Sequence, residues 1–361
     1  MGSTKVLKVN SAVPEPEKIA EAVLYEGYML YPYRASTIKN RQRWNFGVLC
    51  PRAYCEHQDG FDAWIMQTEC LLQGDATTQL QVEVRFLQIV NRSVARFAHP
   101  PFELLDYELP EHELVSRLVV GPRTFVPWQE AIERQVISEL LAPLAESTNL
   151  PLLFRFPAGK EIEPLLDSDK RIVAALICER EELAGSVQID FSKSKSGLTK
   201  VTVCVRNLTN TTQSSDRADA LTHSLVSAHT ILGVEGGQFV SLLDPPQEFS
   251  EAAAECCNVG TWPVLAGESG SHETMLSSPI ILYDYPQIAP ESPGSLFDGT
   301  EIDEILSLRI LTMTDEEKLE MRQSDERTQE ILERTESMPP EQFMKLHGVM
   351  RRLRPMLKEA Q

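Results

Sequence analysis

Thiol and imidazole side chains come closest together at Cys50, Cys55 and His57, spaced Cys-x4-Cys-x-His. Thiolates and imidazole suit zinc or iron. A structural zinc knuckle needs a second pair, yet Cys70, Cys178, Cys204, Cys256 and Cys257 contain no Cys-x2-Cys. Packed thiols are therefore the favoured reading, and no cofactor is predicted. Cys256 and Cys257 are adjacent and rarely chelate one ion; a core thiol beside an exposed one is expected. Cys204 lies on the polar phase of its strand and is expected at the surface.

Hydrolytic chemistry has one weak candidate, Gly267-Glu-Ser-Gly-Ser-His-Glu273, where Ser271 replaces the second glycine of a nucleophile elbow. A polar loop is the favoured reading. His223 and His229 are placed on one predicted helix, too far round it to share a ligand. Gly233-Val-Glu-Gly-Gly237 lacks the lysine of a phosphate loop and reads as a helix C-cap and turn. Asp298 and Glu301 read as helix-start carboxylates, without the alternating ligands of a calcium loop.

The other candidate site is residues 27–55, where Arg34, Lys39, Arg41, Arg43 and Arg52 alternate with Tyr28, Tyr31, Tyr33, Trp44 and Phe46 and no acid interrupts. Packing within the body ranks first for this segment, a protein interface second and nucleic acid last. The contact residues proposed here are Tyr31, Tyr33, Arg34, Arg41, Arg43 and Trp44. A second set, Phe343, Leu346, Met350, Arg351 and Arg352, comes from the C-terminal end.

These residues must be positioned by a chain of 361 residues carrying 34 Lys and Arg against 53 Asp and Glu, a net charge of −19. Such a surface repels phosphate backbones, so no nucleic-acid partner is expected. No apolar run is long enough to span a bilayer, and the N-terminus lacks the apolar core of a secretory signal. Seven scattered cysteines fit a reducing compartment. A cytoplasmic location follows as an expectation. Asn91, Asn207 and Asn210 match the glycosylation pattern, which has no meaning without secretion.

The predicted fold class is α+β: an antiparallel, sandwich-like β-rich body, a mixed α/β segment and a helical C-terminal arm. Residues 1–20 form a flexible leader, 21–210 the body, 211–299 the mixed segment and 300–361 the arm. Residues 64–72 and 80–86 flank Gly74-Asp75 and read as a hairpin, with a phase slip at Phe86-Leu87. Residues 97–127 read as a loop-rich excursion, and 128–147 stay open between helix and strand. Val187, Ile189 and Phe191 pair with Val201, Val203 and Val205 in a second hairpin. One sandwich and two β units both remain compatible with this pattern.

Leu221, Leu225, Ala228 and Leu232 predict an amphipathic helix ended by Gly233. A strand over 238–243, a helix over 249–257, a strand over 261–265 and a strand-like run over 280–285 follow. Thr300-x-x-Asp303 and Thr314-x-x-Glu317 read as capping boxes. The helix from Thr314 to Glu336 is so charged that it projects into solvent or bridges to a partner. The last helix turns basic at Lys345, Arg351, Arg352, Arg354 and Lys358.

Four segments carry a resemblance: YEGYMLYPYRASTIKNRQRWNFGVLCPRAY, ILGVEGGQFVSLLDPP, NVGTWPVLAG and LSSPIILYDYPQIAPESPGSLFDGTEIDEILSLRILTMTDEEK. Over about residues 24 to 322 the chain resembles uncharacterised proteins encoded beside [NiFe]-hydrogenase structural genes in aerobic bacteria. That resemblance implies a non-enzymatic role in assembly or maturation, with a hydrogenase subunit or another maturation protein as partner. It supplies no catalytic residue. The alternative is an enzyme of unrecognised type, a hydrolase or metal-handling protein, using Cys50, Cys55 and His57 or the 267–273 loop.

Overall fold

From Ile65 to Phe97 the chain contains no proline and is rich in β-branched residues, and it forms a single strand, β1 (Ile65–Phe97). The computed structural model describes residues 45–58, 60, 62–99, 109–142, 151–194, 196–211, 216–287, 303–322 and 326–339, and the isolated positions 19, 24, 25, 294, 341 and 346. Nearly every other strand is organised along β1. Its first part, Ile65 to Leu72, pairs with β10 (Thr199–Asn207). Its middle pairs with β11 (Val226–Val240) and β5 (Trp128–Ile137). Its end pairs with β8 (Ile172–Arg180) and β2 (His112–Leu114).

All of these pairings are antiparallel and belong to one eleven-stranded sheet. Beyond β10 the sheet continues through β9 (Leu183–Lys193) to β6 (Leu152–Phe156). Beyond β11 it continues through β13 (Thr274–Ser278) to β12 (Trp262–Leu265). On the far side of β8 lies β7 (Gly159–Leu166). A separate pair, β3 (Leu118–Val120) and β4 (Arg123–Phe125), falls in the excursion read as loop. The β-rich α+β class is thus observed, and every strand of the body except the β3–β4 pair joins one sheet.

The expected hairpin at Gly74-Asp75 is instead a bulge within one strand. Both flanks of the bulge pair with β11, Leu71–Gly74 against Val240–Gly237 and Gln79–Arg85 against Glu235–His229. Between them Asp75 accepts from the Thr77 N–H at 2.8 Å, and Thr78 donates to the Gly236 carbonyl at 2.8 Å. The turn chemistry was real, but it loops residues out of the ladder without reversing the chain. Opposite the bulge, Gly236 has φ +68, and a Cβ on Gly237 would stand 2.8 Å from Thr78. These glycines serve a close strand approach and not the helix cap expected of them. A second register shift, between Arg85 and Leu87, falls where the phase slip was read.

The expected helix over 221–232 is also corrected. A short helix, α2 (Arg217–Thr222), ends at His223, and β11 follows. Ala228 and Leu232 share a buried face, but a spacing of four is a multiple of the strand period as well as near the helical one. The segment left open at 128–147 contributes strand β5. The run 280–285 alternates as a strand would, with Ile280 and Leu282 turned inward and Ile281 and Tyr283 outward, yet it joins no ladder. It leaves β13 as a strap held to its neighbours at Asp284 and Tyr285 instead. Cys204 is buried, because the face judged polar is covered too.

Two apolar layers lie on opposite faces of β1. Leu80, Val82, Val84 and Phe86 pack with residues of β9, β10 and β11, and the Phe86 ring lies 5.6 Å from Phe154 and 5.8 Å from Phe156. On the other face Leu87 and Ile89 meet Leu24, Tyr25 and three helices. Following the short α3 (Ser250–Ala254), these are α4 (Asp303–Leu311), α5 (Asp315–Arg322) and α6 (Glu326–Glu336).

The charged segment read as one projecting helix is therefore two helices packed on the body, through Met321, Ile331 and Leu332. Lys318 and Arg322 of α5 both pair with Glu336 of α6. The second capping box is present: the Thr314 N–H donates to Glu317 at 2.9 Å, and the Glu317 N–H donates to Thr314 Oγ1 at 3.3 Å. Within α4, Leu306 and Ile310 are buried while Ile305 faces out. Thr300 and Ile302 lie outside the described residues. No helix among the described residues is long and apolar enough to cross a membrane.

Candidate functional site

Cys50 precedes Pro51, the N-cap residue of the short helix α1 (Arg52–His57), and Cys55 is the fourth residue of that helix. Side chains at these two positions fold over the helix start and touch, the arrangement in which apolar residues form a hydrophobic staple. The pair here is thiol against thiol. Cys50 is fully buried with Tyr54 and Ala220, and Cys55 is half-buried beside them. The two side chains pack together. The neighbouring Cys55 thiol holds the Cys50 thiol below its ordinary value against the opposing effect of burial, and the Cys50 thiol together with burial pushes Cys55 up.

The surroundings come from remote parts of the chain. The Ser224 hydroxyl, which donates to the Ala220 carbonyl at 2.7 Å, also lies within hydrogen-bond reach of Cys50. Asp62 lies 3.4 Å from the Tyr54 hydroxyl and 3.7 Å from Arg217. Leu49 pairs with Leu225 on one side and Ala63 on the other. Buried Asn207 clamps the seam by donating to the Leu49 carbonyl at 2.8 Å and the His223 carbonyl at 2.9 Å. The asparagine matched as a glycosylation acceptor is thus an internal structural amide.

His57 does not complete a ligand set with these sulfurs. Its Nδ1 lies 2.6 Å from the Ala53 carbonyl, one turn back on the exposed side of α1. Among the described residues no three His, Cys, Asp or Glu side chains converge as a metal site requires. In the 267–273 loop, His272 donates from Nδ1 to the Phe239 carbonyl at 2.8 Å, and the Ser271 hydroxyl accepts weakly from the Glu273 N–H at 3.4 Å. The loop is a turn stapled to β11. His223 caps α2, and His229 is buried in β11, so the two share no helix.

Of the proposed contact residues, Leu346 is half-buried. Tyr31, Tyr33, Arg34, Arg41, Arg43, Trp44, Phe343, Met350, Arg351 and Arg352 lie outside the described residues, as do Asp298 and Glu301.

A second surface was not singled out by residue type. Segments 231–246, 258–267 and 276–287 meet on β11, β12, β13 and the strap that follows. Asp284 fastens the strap, accepting from Ser241 Oγ at 2.5 Å and from the Leu265 N–H at 2.8 Å, while the Tyr285 N–H donates to the Leu265 carbonyl. Outward from these segments point Tyr283, 87% exposed, Ile281, 72% exposed, and Trp262. The available signal was only the apolar run 280–283; the fold shows that Ile281 and Tyr283 are the side chains that face solvent. No family model matches this chain, and no curated protein matches it.

Proposed function

We propose that this chain is a non-enzymatic accessory protein that binds a [NiFe]-hydrogenase component, or a factor that matures one, through its protein surface. The observation that carries the reading is the display of Tyr283, Ile281 and Trp262 on two adjoining segments among those that hold the resemblance. Large aromatic and aliphatic side chains turned to solvent on a fastened strap are what a contact surface needs: apolar area already ordered before binding. Asp284 holds the strap to Ser241, just past β11, and to Leu265 of β12, so little ordering remains to be done on contact.

The test is co-purification of the full chain from a hydrogenase-expressing host, followed by mass spectrometry. Wild-type protein should bring down a hydrogenase subunit or maturation factor, and the Ile281→Ser/Tyr283→Ala double variant should recover about tenfold less, as loss of two central contacts implies. Normal hydrogenase assembly and activity in a clean deletion strain would overturn the reading.

A further inference from the structure

The staple position explains why Cys50 and Cys55 touch, but not why both residues are thiols. Among the seven cysteines, all of them free, this pair combines packing side by side with partial access to solvent. No other two cysteines pack in one cluster: Cys70 belongs to the main core, Cys256 packs in a separate cluster and is directed at the Ala252 carbonyl, 3.7 Å away, and its neighbour Cys257 faces out.

We propose that Cys50 and Cys55 form a reversible disulfide site whose oxidant is a hydroperoxide. The inference does not rest on the hydrogenase reading. The order of burial selects the oxidant: Cys50 is fully buried behind the half-buried Cys55, so an oxidant that is to reach both sulfurs must be small. A peptide or glutathione disulfide would have to bring a bulky sulfur onto a fully buried atom, whereas hydrogen peroxide is close to water in size.

The Cys50 thiolate attacks one peroxide oxygen, the O–O bond breaks, and a sulfenic acid and hydroxide result. The hydroxide takes the Cys55 proton to give water. The Cys55 thiolate then attacks the Cys50 sulfur, the S–S bond forms, and the sulfenic oxygen leaves as hydroxide, which solvent protonates. The two sulfurs lose two electrons, and one hydrogen peroxide becomes two water molecules; an organic hydroperoxide gives its alcohol and one water. Return to the dithiol runs outward: a small thiol attacks the accessible Cys55 sulfur and expels Cys50, the better leaving group because its thiol is held lower.

The experiment uses the full-length protein, hydrogen peroxide, alkylation and peptide mapping. Trypsin cuts after Arg43 and Arg52, so Cys50 and Cys55 fall on separate peptides that a disulfide would join. Wild-type protein should give this joined pair, with fragmentation placing the bridge on Cys55 and not on Cys70, and dithiothreitol should release it. Cys55→Ser should give no bridge and a dimedone-trapped Cys50, while Cys50→Ser should slow oxidation at Cys55 by about tenfold. Circular dichroism checks that the variants fold. The wild-type map needs no variant: Cys50 and Cys55 both still alkylatable after peroxide treatment, or a bridge involving other cysteines with this pair untouched, would overturn the proposal.

Discussion

Cys50 and Cys55 face each other across the start of α1, whereas Cys256 and Cys257 are neighbours in sequence whose side chains part. The two regions also treat their polar groups differently. Around Cys256 and Cys257 the controlling residue is Glu69, buried in β1, which accepts from Lys200 Nζ at 3.1 Å, Thr202 Oγ1 at 3.2 Å and the Cys257 N–H at 2.7 Å. Its own N–H donates to Asn258 at 2.7 Å. Every acceptor position of that carboxylate is used, and the loop 255–259 is locked to the sheet. Around Cys50 and Cys55 the contacts are fewer and one sulfur reaches solvent. A saturated polar cluster holds structure together; a half-open one retains reactivity.

The largest effect should come from opening the saturated cluster. Glu69→Ala leaves the Cys257 N–H, Thr202 and Lys200 without their acceptor and should cost about 3 kcal/mol in urea denaturation. A loss below about 1 kcal/mol would mean that the cluster is no tighter than its counterpart.

A buried ionisable group held by one backbone carbonyl gives the contrasting case. His229 donates from Nδ1 to the Ser227 carbonyl at 2.5 Å, and burial pushes it down to about 4. The unfolded chain takes up this proton near pH 6.5, the folded protein only near 4. Its contribution is therefore full above 6.5 and is lost as pH falls toward 4, by about 3 kcal/mol in total. Stability measured against pH should show a steeper fall across that window for wild type than for His229→Asn. Parallel curves would place the proton elsewhere.

Next to Glu69, Thr68, Ser277 and Thr261 form a buried hydroxyl chain with 2.7 Å contacts. Thr68→Val should cost about 1–2 kcal/mol, and a neutral substitution would show that Ser277 is satisfied by Thr261 alone. The smallest effect belongs to exposed Cys257, where a Cys257→Ser change should stay within about 0.5 kcal/mol. Any larger shift in the denaturation midpoint would show that its side chain, and not only its N–H, belongs to the cluster.

Local chemistry was legible where it is decided locally. The β9–β10 hairpin, the Thr314–Glu317 box, the bulge at Phe86-Leu87 and the contrast between Cys256 and Cys257 could all be read from neighbours in the chain. Misreadings arose where both faces of an element are covered. Ala228 and Leu232 then suggest a helix, and Cys204 an exposed position, because burial on both faces removes the alternation that would reveal the strand. Asp75 and Thr77 signalled a turn correctly, but whether a turn reverses the chain depends on which strand pairs with its two flanks.

The sequence by itself determined a β-rich α+β protein, an acidic surface and two thiols five residues apart. Those depend on composition and on spacings shorter than a helical turn or two. The tertiary structure alone decided that one strand organises the sheet, that the charged helices lie on its face, and that Ser224, Asp62 and Arg217 surround the thiols. Strand pairing and side-chain burial join residues far apart in the chain, and no short spacing records which distant residues will meet.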